Sequence, residues 1–307
     1  KPRRPPLPPL CNKGDDDDSR VANLTTVFRA GEDGFGCMRY PQLHSVQDTL
    51  YVFVECYNAS GDHCDASRMG FPVLANCHAY GNVCYKRSLD PTGTRWGPLQ
   101  VVPINGSGTM MWARGHGTLY LPELHQICLH FNGGSVYGNN GLDGPPGGAR
   151  HKQCLDLRTG RWTEPTNLDS QIPECKDFLG ARQGNIVLPS GRQLWSQWSF
   201  GSVDRGGKHV GNEGRVCVYG SDDGVNWKTF TMLNGTAEGA MVYLPENDSV
   251  YFSAMPPCPA CRANRARVAG WSTDSGGSFA LRRDSSAPLD PVGDAIPGPL
   301  LQAHGEL

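Results

Sequence analysis

Apolar positions along this chain fall in short runs that alternate with clusters of turn-forming residues. Thr49–Glu55, Gly117–Pro122, Gln126–Phe131, Gly184–Pro189, Arg215–Tyr219, Ala240–Leu244 and Ser249–Ser253 are such runs. Each is rich in β-branched or aromatic residues and is bounded by Gly, Pro, Asn or Asp. No apolar stripe of period 3.6 reaches a convincing length. The pattern therefore predicts an all-β protein of many short strands. With 39 Gly and 24 Pro, the backbone is interrupted too often for long helices.

The turns between these runs repeat. Ser272-Thr-Asp274-Ser-Gly276-Gly-Ser-Phe279 reads S-x-D-x-G-x-x-[WF]. Ser221-Asp-Asp223-Gly224-Val-Asn-Trp227 is one residue shorter, and Ser88-Leu-Asp90-Pro-Thr-Gly93-Thr-Arg-Trp96 one longer. Asp156-Leu-Arg-Thr-Gly160-Arg-Trp162 is a degraded copy. Asp and Ser suit local backbone amides, Gly suits a positive φ, and the aromatic suits a plug beneath the turn. Four copies at intervals of about 50 to 70 residues predict a propeller of four-stranded blades.

Composition and charge narrow the picture. Net charge is −2 over 307 residues, with no basic stripe, which excludes sequence-independent nucleic-acid binding as a partner class. No run of 18 apolar residues exists, so no spanning helix is predicted. Residues 1–20 are Pro-rich and end in four Asp, Asp15 to Asp18. Such a segment buries no apolar area and reads as an extended tail, leaving 21–307 as the domain. The chain opens without Met or leader, as a mature chain, an expressed fragment or an incomplete gene model would.

There are 12 cysteines. Only Cys258-Pro-Ala-Cys261 has zinc-like spacing, and a single such pair is weak; no metal or cofactor is expected. Their scatter fits disulfides in an oxidising compartment. Five sequons agree: Asn23-Leu-Thr, Asn58-Ala-Ser, Asn105-Gly-Ser, Asn234-Gly-Thr and Asn247-Asp-Ser. Chance supplies roughly two. The expected location is secreted or lumenal. No G-x-S-x-G elbow, Walker or dinucleotide fingerprint is present.

The repeated turns resemble the Asp boxes of the sialidase (neuraminidase) family. Further motifs carry the likeness. Arg39-Tyr40-Pro41-Gln42-Leu43 resembles the family's R-[IY]-P segment, and Leu50–Glu55 the strand that ends in A-E-x-R. Gly184–Arg192 resembles the mid-chain strand pair, and Thr236-Ala-Glu238-Gly-Ala-Met the segment with the catalytic Glu.

The resemblance implies a six-bladed propeller, of which about five blades would fit in this length. It implies an exo-α-sialidase that hydrolyses terminal sialic acids with retention. Arg39 and Arg262, with Arg265 as a weaker candidate, would hold the substrate carboxylate, for which guanidinium suits best. Asp62, ahead of Asp65, would protonate the leaving oxygen. Glu238 would act as base for a tyrosine nucleophile. Two departures stand out. Tyr57 replaces the Arg of A-E-x-R, and the acceptor Asn58 lies four residues before Asp62. The family's third Arg and its nucleophile have no counterpart before Leu307, and Arg282, Arg283 and His304 are no substitutes, so the chain as it stands is expected not to hydrolyse sialosides. Two alternatives remain open. One is a non-catalytic glycan-binding or adhesion propeller derived from a sialidase. The other is a disulfide-stapled propeller with a protein ligand, touched by Trp195, Trp198 and Phe200.

Overall fold

The structure, a computed structural model, describes residues 25–29, 33–35, 37–57, 81–104, 112–134, 149–175, 180–181, 184–199, 202–203, 209–210, 214–256 and 266–288. The tail lies outside them. The described residues form four antiparallel sheets of four or five strands in chain order, which make a propeller of four blades, and one two-stranded sheet. Blade I holds β1 (Cys37–Val46), β2 (Thr49–Tyr57), β3 (Gly81–Arg87) and β4 (Gln100–Val101). Blade II holds β5 (Trp112–Leu121), β6 (Gln126–Gly134), β7 (Ala149–Asp156), β8 (Arg161–Trp162) and β9 (Thr166–Asn167). In blade III the first strand is split into β10 (Gly180–Ala181) and β11 (Ile186–Val187), both paired with β12 (Gln193–Ser199). A small hairpin, β13 (Ser202–Val203) with β14 (His209–Val210), precedes β15 (Arg215–Ser221) and β16 (Lys228–Asn234). Blade IV holds β17 (Ala237–Leu244), β18 (Ser249–Met255), β19 (Ala266–Ser272) and β20 (Ala280–Pro288).

The blades pack face to face, as strand alternation requires. On β2, Phe53 turns to blade II, while Val52, Val54 and Cys56 turn the other way, under Val27 and Phe28. On β6, Ile127, Leu129 and Phe131 meet blade I, whereas Cys128 meets blade III. On β12, Trp195 joins the blade II side, and Leu194 and Trp198 join Met241, Val250 and Phe252 of blade IV. Trp195 and Trp198 are thus core residues, at 0% and 5% exposure. Neither is exposed for the ligand contact expected from sequence; Phe200 lies outside the described residues. The first strands line up side by side: β5 lies against β1 on one side and β10 and β11 on the other, and β17 lies against β11.

Each repeated turn joins the third strand of a blade to the fourth, and each Asp is saturated locally. The Asp223 carboxylate accepts from the amides of Asn226 and Val225 at 2.7 and 2.8 Å. Asp274 accepts from the Ser278 amide at 2.9 Å and the Ser272 hydroxyl at 2.7 Å. Asp90 accepts from the amides of Thr92, Thr94 and Arg95, and Asp156 from those of Arg158 and Thr159. Gly93, Gly160, Gly224 and Gly276 all take positive φ, which completes the turn without a Cβ clash. Hydroxyls and amides stabilise the charged carboxylate, so its pKa falls. The Ser272 hydroxyl, then that of Ser278, brings Asp274 down to about 2. The Asn226 and Val225 amides hold Asp223 well below the usual carboxylate range.

Three disulfides close within or beside blades: Cys56–Cys84, Cys128–Cys154 and Cys175–Cys217. They are consistent with an extracellular protein. Among the described residues no helix is long and apolar enough to cross a membrane.

Candidate functional site at the first-strand breaks

The first strand of every blade is interrupted near its start. In β1 the pairing with β2 slips between Arg39 and Gln42; in β5 it slips between Arg114 and Gly117; in β17 it slips between Ala237 and Ala240. In blade III the same level is the gap between β10 and β11. Aligning the three bulges superposes Tyr40, Gly115 and Glu238, and then Pro41, His116 and Gly239. Tyr40 and Glu238 both take the left-handed conformation, with φ of 56° and 47°. That conformation is costly for residues with a Cβ and tends to persist where surroundings enforce it, often at functional sites. Bulges also re-aim side chains and free backbone groups from the ladder.

Those freed groups are taken up by the neighbouring blade. The Gln42 amide nitrogen donates to the His116 carbonyl at 2.8 Å. Gln42 Oε1 accepts from both the Thr118 amide at 2.7 Å and the Thr118 hydroxyl at 2.8 Å. Having spent its proton on Gln42, the Thr118 hydroxyl accepts from His44 Nε2 at 2.6 Å. This assigns the His44 proton to Nε2. Burial of the ring pushes its pKa down to about 4. Between blades III and IV, the Ser196 hydroxyl donates to the Gly239 carbonyl at 3.3 Å, and the Met241 amide to the Gly184 carbonyl at 3.1 Å. Gly184 is required there, because a Cβ would stand 2.5 Å from the Met241 nitrogen.

Charge is concentrated at the same end. Glu55, the cross-strand partner of Arg39, is 3% exposed. Its Oε1 lies 3.6 Å from Nδ1 of the wholly buried His116 and accepts the His116 amide at 3.4 Å. Glu238 is also buried, at 7%. Between blades II and III, Arg150 is enclosed and donates to Gln197 Oε1. Burial lowers its guanidinium to about 10, against the pull of Tyr219 and Asp169. Below it, His130 stacks on Trp195 at 3.6 Å and bonds the Tyr219 hydroxyl at 3.0 Å. Desolvation, then Lys152 and Arg150, keeps His130 neutral.

Of the residues expected from sequence, Glu238 lies within the bulge of β17 in blade IV, level with Tyr40, and Arg39 borders the bulge of β1 in blade I, level with Ala237. Asp62 and Arg262 lie outside the described residues, as do Asp65 and Arg265. Glu55, His116, Gln42, Arg150 and Gln197 were not among the expected site residues. One sequence signal reaches part of this set: Leu121-Pro-Glu123 and Leu244-Pro-Glu246 follow β5 and β17 at the same offset, which aligns Arg114 with Ala237 and His116 with Gly239. Among the described residues no group of three or more His, Cys, Asp or Glu is placed to hold a metal ion.

Comparison with known proteins supports the fold. No protein-family model matches the chain, and no curated protein matches its sequence. Solved structures do. The hemagglutinin-neuraminidase of parainfluenza virus 5 is similar with a TM-score of 0.51 and 8% identity, over 87% of this chain and 66% of that one. An α-L-arabinofuranosidase from Podospora anserina is similar with a TM-score of 0.50 and 9% identity, over 89% of this chain and 76% of that one. The chain spans 45% of a β-1,3-galactosidase that it also matches. At these identities the likeness is one of fold: an all-β propeller whose structural neighbours are glycoside hydrolases.

Proposed function

We propose that this chain is a sialidase-type propeller that takes terminal sialic acids of glycoconjugates at the first-strand breaks. The observation that supports this reading is the placement of Arg39 at the edge of, and Glu238 within, the equivalent bulges of blades I and IV, with a buried Glu55–His116 pair beside Arg39. Arg39 is half-buried, where a guanidinium holds a substrate carboxylate more strongly than it does in open water. Glu238 is buried and held in a strained conformation, as suits a group that must keep one orientation. In the full reading, Asp62 protonates the leaving oxygen, Arg262 supplies a second cation and the ring has six blades.

The test is titration of the folded chain with α2,3-sialyllactose, alongside an assay for released sialic acid. Loss of one charge-assisted hydrogen bond costs about 1.5–3 kcal/mol. Arg39→Ala should therefore weaken binding by about 10- to 150-fold. Unchanged binding in that variant overturns the proposal. Release of sialic acid that is lost in Glu238→Gln with binding retained identifies a hydrolase. Binding without release in the parent chain identifies a glycan-binding propeller.

A further inference from the structure

Two of the five sequons fall on described residues, and they stand at opposite ends of the propeller. Asn234-Gly-Thr236 closes β16, where Asn234 pairs with Arg215 at the end that carries the first-strand breaks. Asn247-Asp-Ser249 lies in the turn between β17 and β18, at the far end of blade IV. Both asparagines are exposed. Both lie in a chain with three disulfides, hence one suited to the compartment where N-glycans are added.

We infer that Asn234 and Asn247 carry N-linked glycans, and that the Asn234 glycan is added before the segment between β16 and β17 closes on Gly214. The donor would be a lipid-linked oligosaccharide pyrophosphate. The side-chain amide nitrogen attacks the anomeric carbon, the bond from that carbon to the pyrophosphate oxygen breaks, and the amide proton leaves with the pyrophosphate. The timing follows from Thr236. A glycosyltransferase that recognises Asn-x-Thr must reach the Thr hydroxyl. In the folded chain Thr236 is 0% exposed, and its hydroxyl donates to the Leu233 carbonyl at 2.6 Å. Gly235 and Thr236 are pinned in turn by the Gly214 carbonyl. The acceptor Asn stays outside while the residue that qualifies it is locked inside.

The two glycans would have different consequences. Asn234 is four residues before Glu238, so a fully extended chain separates them by at most about 14 Å. A glycan rooted there stands at the rim of the breaks. Asn247 is separated from that end by the length of β17, about 25 Å at the rise of a strand. Its glycan shields the opposite end. Resting on the function proposed above, the Asn234 glycan restricts bulky sialylated glycoproteins and leaves small sialosides unaffected.

The experiment is secretion of the full chain from cultured animal cells, enzymatic release of N-glycans in heavy-oxygen water, and peptide mass spectrometry. The expected result is heavy-oxygen aspartate at positions 234 and 247. Unmodified Asn234 in the secreted, folded protein overturns the inference. Thr236→Ser should keep the Asn234 glycan and Asn234→Gln should lose it without affecting position 247. Folded protein made in bacteria and then offered to microsomal transferase should gain nothing at Asn234; modification there overturns the timing. Asn234→Gln should raise capture of a sialylated glycoprotein severalfold with sialyllactose affinity unchanged; unchanged capture overturns the rim effect. If sialyllactose is not bound at all, the proposed function fails while the mass readout still decides glycosylation.

Discussion

The two ends of the blades use the same residue types in opposite ways. At the turn end, Asp90, Asp156, Asp223 and Asp274 are each satisfied by amides and hydroxyls within five residues of themselves. At the break end, Gln42, Glu55, Ser196 and His44 are satisfied by groups 43 to 76 residues away, on another blade. A local cap works in any blade and can be copied, which is why it recurs four times in the sequence. A cross-blade partner works only at one interface and is not copied. The repeated motif therefore marks the scaffold, and the unrepeated residues at the breaks mark where the blades differ from one another.

The largest test of this contrast is Gln42→Ala. Gln42 is 8% exposed and satisfies the His116 carbonyl and both donors of Thr118 at one point. Stranding a buried polar group costs about 1–3 kcal/mol, so the combined loss should reach about 3 kcal/mol or more. Chemical denaturation measures it. A cost below about 0.5 kcal/mol, the usual limit for a surface change, breaks the distinction between the two ends.

The second test separates the ends by pH. His44 has its folded pKa lowered from 6.5 to about 4. A depressed pKa means that the unfolded chain binds the proton first. Its contribution is present above about pH 6.5 and is lost as pH falls through about 4. His130 is shifted in the same direction. Stability should thus decline as pH falls from about 6.5 toward 4, a fall that begins above the carboxylate range. His44→Asn removes its share of that decline. Urea midpoints taken across this window in both proteins should diverge at pH 7 and converge toward pH 4. Parallel curves would mean that the break end does not titrate as its burial requires.

Much of the scaffold is legible in the sequence because its causes are local. The runs at Thr49–Glu55, Gln126–Phe131, Arg215–Tyr219 and Ser249–Ser253 fall within β2, β6, β15 and β18. The four turns sit where Asp, Gly and an aromatic can cooperate within one short stretch. The run Gly184–Pro189 forms only the two-residue β11, because Gly184 serves a close approach to Met241 rather than a ladder. Four blades are described where the length suggested about five. The site is less legible. Arg39 and Glu238 were found through short motifs, yet the partners that set their surroundings come from other blades. His116 has no local mark, since its burial follows from a bulge that only pairing with β6 reveals. Trp195 and Trp198 read as candidate contact residues, but both faces of a blade are covered in a propeller, so neighbouring positions on β12 are buried alike.

The smallest effect belongs to the turn end, and it sharpens the contrast because it falls in a separate pH window. Asp274 is exposed, and its carboxyl is held down to about 2 by the Ser272 and Ser278 hydroxyls. Its contribution is present above the unfolded value near 4 and is lost as pH falls through about 2. Solvent screening discounts the charge component, leaving about 0.5–1 kcal/mol for the turn at neutral pH. Asp274→Ala should lower stability by that amount above pH 4 and have little effect near pH 2. It should leave the decline between pH 6.5 and 4 unchanged, because no group of the Ser272–Phe279 turn hydrogen-bonds to the break end in the structure described. Combined with His44→Asn, the two changes should add, as separated sites do. A measured coupling beyond about 0.5 kcal/mol would show that the turn end and the break end are energetically joined through the blades, and the division of labour between them would have to be given up.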